Sequence, residues 1–148
     1  MLKIRKAAAK DIPALQELYK QLSFEPEKYV KAPEPDCRKV LKEIEKNNNY
    51  HLLVAEDDGK VVGTTFLAVL PGFAHTDKSF AVIEYVVVDA NVRSKGIGKT
   101  LIDECKKIAK DAGAYKIMLA SSKQRLRAHK FYRNMGFQED ALSFRFYF

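Results

Sequence analysis

Residues 86–101 of the chain read Val-Val-Val-Asp-Ala-Asn-Val-Arg-Ser-Lys-Gly-Ile-Gly-Lys-Thr-Leu. An apolar run typical of a buried strand ends at Asp89, a short turn follows, and a helix is predicted directly after the turn. Gly96 and Gly98 allow a phosphate to approach the backbone closely, and the first N–H groups of a helix have no partner inside it. The same turn carries three cations, Arg93, Lys95 and Lys99. The segment therefore predicts a turn that binds a pyrophosphate.

Two better-known phosphate motifs are excluded by single residues. Gly98-Lys99-Thr100 is similar to the end of a nucleoside triphosphate P-loop, but that motif needs a glycine where this chain has Arg93. A dinucleotide fingerprint needs a glycine where this chain has Leu101. The pattern that remains is Arg93-x-x-Gly96-x-Gly98 between a strand and a helix.

Length and composition predict one globular domain, 1–148. Hydrophobic residues make up 47% and charged residues 30% of the 148 residues, which argues against disorder. No apolar run approaches the roughly 18 residues of a membrane span, and the first residues lack the apolar centre of a signal peptide. Cys37 and Cys105 match neither a disulfide framework nor a zinc pattern. We expect a cytoplasmic protein without a metal or a membrane partner.

The formal net charge is +7, from 26 basic and 19 acidic residues. Such an excess of basic residues favours solubility, and it also suits the binding of a small polyanionic ligand or of nucleic acid. Nucleic acid is disfavoured as a partner, because no basic stripe alternates with aromatic residues and no helix-turn-helix or RNA-binding signature is present.

Hydrophobic periodicity and turn residues predict the order β-α-α-β-β-β-α-β-α-β. A first helix is expected after Asp11 as its cap, and a second after Asp36. Strands are predicted over 2–5, 51–56, 60–70, 80–88, 115–120 and 143–148, and further helices over 99–112 and 125–135. A short additional strand near Phe137 would raise the strand count from six to seven. The pattern is typical of one mixed α/β sheet.

The turn motif matches the Gln/Arg-x-x-Gly-x-Gly/Ala signature of the GNAT superfamily of acyl-CoA-dependent N-acyltransferases. Residues 128–137, Ala-His-Lys-Phe-Tyr-Arg-Asn-Met-Gly-Phe, resemble the Ala-x-x-x-Tyr-x-x-x-Gly-Phe pattern of the same family. The resemblance is densest over 80–137, and the element order extends it over the whole chain. It implies an α/β (α+β) GNAT-like fold, with a mostly antiparallel sheet of six to seven strands and about four helices. Residues 82–89 also resemble the glucosamine-phosphate acetyltransferases of this superfamily, which does not identify the acceptor.

The resemblance implies that the acetyl group of acetyl-CoA moves by direct attack to a primary amine of a small-molecule or peptide acceptor. The alternative is an inactive acyl-CoA-binding sensor or interaction module. The alternating Phe144, Phe146 and Phe148 suit either a buried core or the interface of a homodimer, so the oligomeric state stays open.

Two side chains are candidates for the proton transfers. By resemblance Tyr132 gives a proton to the leaving thiolate, and the alternative is a packing role beside Phe131. Glu84 lies in an apolar strand, where a carboxylate is unfavourable unless it is paired or used. It is either the base that deprotonates the amine, often through water, or an ion-pair partner of Arg5 or Arg145.

The remaining site residues are implied by the same resemblance. The strand ladder is expected to break between Val86 and Val88, so that the main chain there contacts the acetyl-pantetheine arm. Arg125 stands where relatives commonly have Asn, and it would contact a phosphate or an acidic acceptor. The loop 23–35, the connection 71–79 and the last strand would line the acceptor side, where Glu25, Glu27 and Glu34 favour a cationic acceptor. The full set of predicted cofactor contacts is Val86, Val87, Val88, Arg93, Ser94, Lys95, Gly96, Ile97, Gly98, Lys99, Thr100, Arg125 and Tyr132.

Overall fold

The computed structural model describes residues 1–75 and 78–148, and five strands within them form one sheet in chain order. Residues 76 and 77, part of the predicted 71–79 connection, lie outside the described residues. The strands are β1 (Leu2–Lys6), β2 (Tyr50–Asp57), β3 (Lys60–Leu70), β4 (Ser79–Val88) and β5 (Ala114–Leu119). The α-helices are α1 (Ile12–Leu22), α2 (Glu34–Glu45), α3 (Ile97–Asp111) and α4 (Leu126–Asn134). The mixed α/β class and the element order through α4 are confirmed.

The predicted strand count is wrong. The described residues form five strands rather than six or seven, and residues 138–148 lie in no helix or strand. The alternation over 143–148 specifies two faces, but a strand also needs a neighbour for its N–H and C=O groups, which the alternation does not supply. Phe144, Phe146 and Phe148 are exposed.

Two helices begin earlier than predicted. Helix α2 begins at Glu34, with Pro33 at its cap and Pro35 in its first turn. Proline is compatible with a first turn, because the N–H groups there have no partner within the helix. Helix α3 begins at Ile97, directly after Gly96 at its cap.

The chain divides into two units, Met1–Met118 and Leu119–Phe148. In the first unit β1 to β4 pair antiparallel in succession. One face of this sheet carries a cluster that joins Leu15 of α1, Leu41 of α2 and Val54 of β2. The opposite face carries α3, whose side chains Leu101, Ile102 and Cys105 are fully buried. None of the helices in the described residues has the length and apolar character that a membrane span needs.

Gly63 of β3 brings α3 close to the sheet. A β-carbon there would lie 3.2 Å from Leu101 Cδ1, 3.2 Å from the carbonyl oxygen of Val87 and 3.3 Å from Ile97 Cγ2. These distances are tighter than ordinary contact, so a larger residue would displace the first turn of α3 from β3 and β4. The glycine therefore fixes where the helix begins relative to the end of β4.

An ion-pair network ties β1, β2 and the entry to α1 together. The Arg5 guanidinium donates to both carboxylate oxygens of Asp11, at 2.6 and 2.9 Å, and to Glu56 Oε2 at 2.6 and 2.8 Å. Asp11 also accepts the backbone N–H of Ala8 at 2.8 Å. Asp11 does stand at the start of α1, but its carboxylate is used here and makes no capping bond to the helix. Hydrogen bonds from Arg5 lower the pKa of Asp11 and of Glu56.

We expect Asp11→Asn to lower the free energy of unfolding by about 2–3 kcal/mol at pH 7, because Arg5 loses a buried, charged partner. Since the pKa of Asp11 is lowered in the folded protein, its stabilisation is complete above the ordinary value of 3.8 and is lost as the pH falls from there through the lowered pKa of the folded state. Urea denaturation should show that the difference in free energy of unfolding between wild type and variant narrows from about pH 5 to pH 2. A gap that stays constant over this range contradicts the prediction.

Candidate functional site

A bulge interrupts the pairing of β4 with β3. Thr64 pairs with Val87 and Phe66 pairs with Glu84, so the single residue between them on β3 faces two residues of β4. These two are Tyr85 and Val86, and Tyr85 has a φ of 57°, in the left-handed region that non-glycine residues rarely adopt. A bulge leaves its extra residue out of the ladder and bends the strand.

The predicted ladder break is therefore present but displaced. It was expected from Val86 to Val88, whereas the register shift falls at Tyr85 and Val86. Val87 and Val88 have returned to regular pairing, and the side chain of Val87 is buried. Strand periodicity alone could not locate the break, because the pattern within β4 does not show which residues of β3 face it.

Thr65 supports the bulge from β3. Its hydroxyl donates to the carbonyl oxygen of Glu84 at 3.3 Å, and its side chain also hydrogen-bonds the thiol of Cys105 on α3. Burial raises the pKa of Cys105 to about 12, so its sulfur remains a protonated thiol at neutral pH. Cys105 is fully buried and packs in the core.

The turn after β4 connects this strand to the start of α3. The side chain of Asp89 accepts the N–H of Asn91 at 3.0 Å, and Arg93 Nε donates to the carbonyl oxygen of Val88 at 3.2 Å. Ser94 and Gly96 have φ values of 70° and 79°, which turn the backbone into the helix. This geometry explains a glycine at 96, where the left-handed conformation carries no steric cost.

The start of α3 presents a set of backbone donors. The first backbone bond of the helix runs from the N–H of Thr100 to the carbonyl oxygen of Gly96 at 3.0 Å. The N–H groups of Ile97, Gly98 and Lys99 come before it, and such groups have no acceptor within a helix. Together with the partial positive charge of a helix N-terminus, they suit a phosphate ligand.

The cations of the turn are not equivalent. Lys99 forms an exposed ion pair with Asp103, one helical turn further on. Arg93 uses its Nε to hold the end of β4, and Lys95 is exposed. Arg93 and Lys95 thus keep positive charge near the helix start, where the backbone donors suit a phosphate group.

Glu84 does not have the environment expected from its apolar neighbours. Its side chain is exposed rather than buried. The suggested partner Arg5 is held by Asp11 and Glu56, and Arg145 Nη1 lies 3.5 Å from Ser122 Oγ. Because Glu84 pairs directly with Phe66, both side chains leave the same face of the sheet.

The second unit, Leu119–Phe148, contains two further predicted site residues. Tyr132 lies on α4, half-buried, with ring centroids 5.3 Å from Phe131 and 5.8 Å from Phe137. Arg125 precedes α4 and donates its N–H to the carbonyl oxygen of Ser122 at 2.9 Å. His129 Nε2 lies 2.9 Å from the same oxygen, which ties both residues to the start of the helix.

A cavity of about 810 Å³ lies in the first unit beside the bulge. The loop after α1, which the resemblance assigned to the acceptor side, contributes to its wall, together with α1, α2 and residues of β2, β3 and β4. The carboxylates expected to favour a cation there are partly neutralised, since Glu25 pairs with Lys28 and Glu34 with Arg38.

Two residues of this region were missed by the sequence analysis. Tyr19 of α1 and Tyr85 of the bulge both line the cavity, and their rings meet edge to face with centroids 5.9 Å apart. Burial raises the pKa of Tyr19 to about 12, while its hydroxyl hydrogen-bonds Thr64. The available signal was the pair Glu84-Tyr85, whose consecutive polar groups interrupt an otherwise apolar strand.

Known proteins resemble this chain both in sequence and in structure. The acetyltransferase (GNAT) family model matches residues 13–137. A glucosamine 6-phosphate N-acetyltransferase of Trypanosoma brucei brucei is 38% identical over 80 residues, covering 54% of this chain and 52% of that protein. A probable glucosamine 6-phosphate N-acetyltransferase 2 of Oryza sativa subsp. japonica is 33% identical over 105 residues, covering 68% of this chain and 61% of that protein. These matches span only about half to three fifths of the two relatives.

Among solved structures, the crystal structure of glucosamine-6-phosphate N-acetyltransferase from Arabidopsis thaliana superposes with a TM-score of 0.88. The sequences are 25% identical, and the match covers 100% of this chain and 99% of that chain. The fold therefore extends over the whole length of both proteins.

Proposed function

Because the chain belongs to the GNAT acetyltransferase family, we propose that it is an N-acetyltransferase that moves the acetyl group of acetyl-CoA to a primary amine. The observation that carries the proposal is the succession of bulge, left-handed turn and helix start between Tyr85 and Thr100. This short stretch combines main-chain groups outside the ladder with the donor set of an anion site. Both the curated relatives described above are named N-acetyltransferases, which favours an enzyme over an inactive sensor.

The proposed co-substrate contacts follow the chain. The amides of residues 96–99 and the charges of Arg93 and Lys95 would hold the diphosphate of coenzyme A. The main chain of residues 86–88 would contact the acetyl-pantetheine arm, beginning at the bulge. Arg125 would contact a phosphate or the acceptor.

The bound co-substrate supplies an acetyl thioester as the acyl donor. The amine nitrogen forms a bond to the acetyl carbon, the bond from that carbon to sulfur breaks, and the carbonyl oxygen carries negative charge in between. In our proposal the main chain at the bulge stabilises this charge, as backbone N–H groups do in oxyanion holes. Glu84 removes a proton from the amine, directly or through water, and Tyr132 protonates the departing thiolate.

The exposure of Glu84 is compatible with the role of base. A carboxylate that reaches water can pass a proton to solvent after each turnover, and Phe66 places it on the face that carries the cavity. The proposed location of the enzyme is the cytoplasm, which stays a prediction.

The first experiment tests the anion site with a matched pair of glycines. Gly96 and Gly113 have φ values of 79° and 75°, and a β-carbon at either would have no neighbour within 4 Å. Gly96→Ala and Gly113→Ala should each lower the free energy of unfolding by about 1 kcal/mol, through the same backbone strain. Only Gly96→Ala should weaken acetyl-CoA binding, by about tenfold or 1.4 kcal/mol, because its β-carbon projects beside the helix start.

Isothermal titration calorimetry with acetyl-CoA measures both variants against wild type. Equal affinities for the two variants would remove the turn at Gly96 from the binding site. If the wild-type protein gives no heat of binding with acetyl-CoA, the proposed function fails.

Tyr132→Phe should lower kcat by about 100-fold, which is the smaller end of the contribution expected from a general acid. The dissociation constant for acetyl-CoA should change little, since the ring remains in place against Phe131 and Phe137. Thiol release followed with a disulfide reagent measures kcat, and Tyr147→Phe in the same unit is the control. An unchanged kcat removes Tyr132 from the mechanism.

Glu84→Gln should lower kcat/KM for the amine and flatten the acidic side of its pH–rate profile, because the variant has no carboxylate to accept the proton. Glu45→Gln, an exposed change on α2, is the control and should leave the profile unchanged. A Glu84→Gln profile with the wild-type shape on its acidic side assigns Glu84 a structural role.

A further inference from the structure

The cavity beside the bulge has walls that are almost entirely apolar. Its aromatic side chains are Tyr19, Tyr29, Tyr50, Phe66 and Tyr85. Most of the others are aliphatic, contributed by α1, α2 and β2. At about 810 Å³ the cavity falls within the range of pockets that enclose a small organic molecule.

The charges in this wall have one sign. No lysine, arginine or histidine lines the cavity in the described part of the chain, and the charged residues that do are Asp36 and Glu43 of α2. Glu43 is ion-paired with Lys46 at 3.1 Å, so Asp36 contributes most of the negative charge of the wall. A phosphate group placed there would lose its hydration without gaining a cation or an Arg fork, which is unfavourable. An amine on an apolar body meets the opposite situation, since the Asp36 carboxylate attracts its ammonium form and the rings accept its carbon skeleton.

The bulge connects this cavity with the proposed chemistry. In a regular strand consecutive side chains leave opposite faces. Here Glu84 leaves the face that carries Phe66, and Tyr85 lines the cavity and contacts Tyr19 on the same face. The left-handed conformation of Tyr85 thus places an aromatic wall residue next to the proposed base.

From these observations we propose that the acceptor is a primary amine carried by an apolar, aromatic body, and that the cavity between α1, α2 and the sheet binds this body. The proposal rests on the proposed acetyltransferase function and specifies its second substrate. This acceptor differs from glucosamine 6-phosphate, the substrate in the names of the relatives, because glucosamine 6-phosphate carries a phosphate and a hydroxyl-rich ring.

The test compares 2-phenylethylamine, glucosamine 6-phosphate and spermidine as acceptors, with acetyl-CoA and thiol release as the readout. The expected kcat/KM for 2-phenylethylamine is at least about tenfold above that of either other amine, the scale of a modest difference in pocket contacts. A higher kcat/KM for glucosamine 6-phosphate or spermidine overturns the acceptor proposal and leaves the proposed function standing.

A matched pair of variants locates the binding site. Val40 lines the cavity and is 58% exposed, whereas Val30 is 86% exposed and outside the lining, so both positions tolerate a long side chain. Val40→Arg should raise KM for 2-phenylethylamine about tenfold, because it brings a cation into a wall without one, and Val30→Arg should not. Neither variant should change the dissociation constant for acetyl-CoA. Equal KM values for the two variants overturn the assignment of the cavity.

Binding without turnover separates the two proposals. Calorimetry with 2-phenylethylamine in the presence of coenzyme A should give heat for wild type and a weaker affinity for Val40→Arg. Such binding, combined with no thiol release from any amine, contradicts the enzymatic function alone and supports the cavity as an amine site. No heat with 2-phenylethylamine, or an affinity that Val40→Arg leaves unchanged, overturns the acceptor proposal.

Discussion

One extra residue in β4 sets the geometry on which both parts of the candidate site depend. Opposite Thr65 the strand accommodates Tyr85 and Val86, and Tyr85 adopts a left-handed backbone to do so. A non-glycine residue in this conformation costs roughly 1 kcal/mol or more, so the surrounding structure must favour it. The same irregularity releases main-chain groups from the ladder and turns a ring towards α1.

The neighbours of the bulge supply that support. Thr65 bonds the carbonyl oxygen of Glu84 and the thiol of Cys105, so the bulge is tied to the middle of α3 through one hydroxyl. Gly63, two residues earlier on β3, lets the first turn of the same helix lie against the sheet. The helix start, the turn before it and the bulge are therefore positioned by one short segment of β3.

Much of this arrangement could be predicted from the sequence. The parts that could not be predicted share one cause. The strand before Asp89, the glycine turn and the helix after it are local patterns, and each was located to within about two residues. The bulge depends on which residues of β3 face β4, and a pattern within one strand does not carry that register. The final strand failed for the same reason, since the alternation over 143–148 does not name a partner. Glu84 was expected to be buried because its neighbours are apolar, but its side chain is exposed at the residue before the bulge.

The two substrates of the proposed reaction are recognised by different parts of the molecule. The diphosphate would be held mainly by backbone N–H groups, which any sequence that preserves the turn provides, so a family match is informative about acetyl-CoA. The cavity proposed for the acceptor is built from side chains of α1, α2 and three strands, so its charge depends on a few individual residues. In our proposal a wall that contains Asp36 but no basic side chain among the described residues would disfavour a phosphate. Similarity to the relatives therefore argues for the reaction, while the chemistry of this cavity argues for the acceptor.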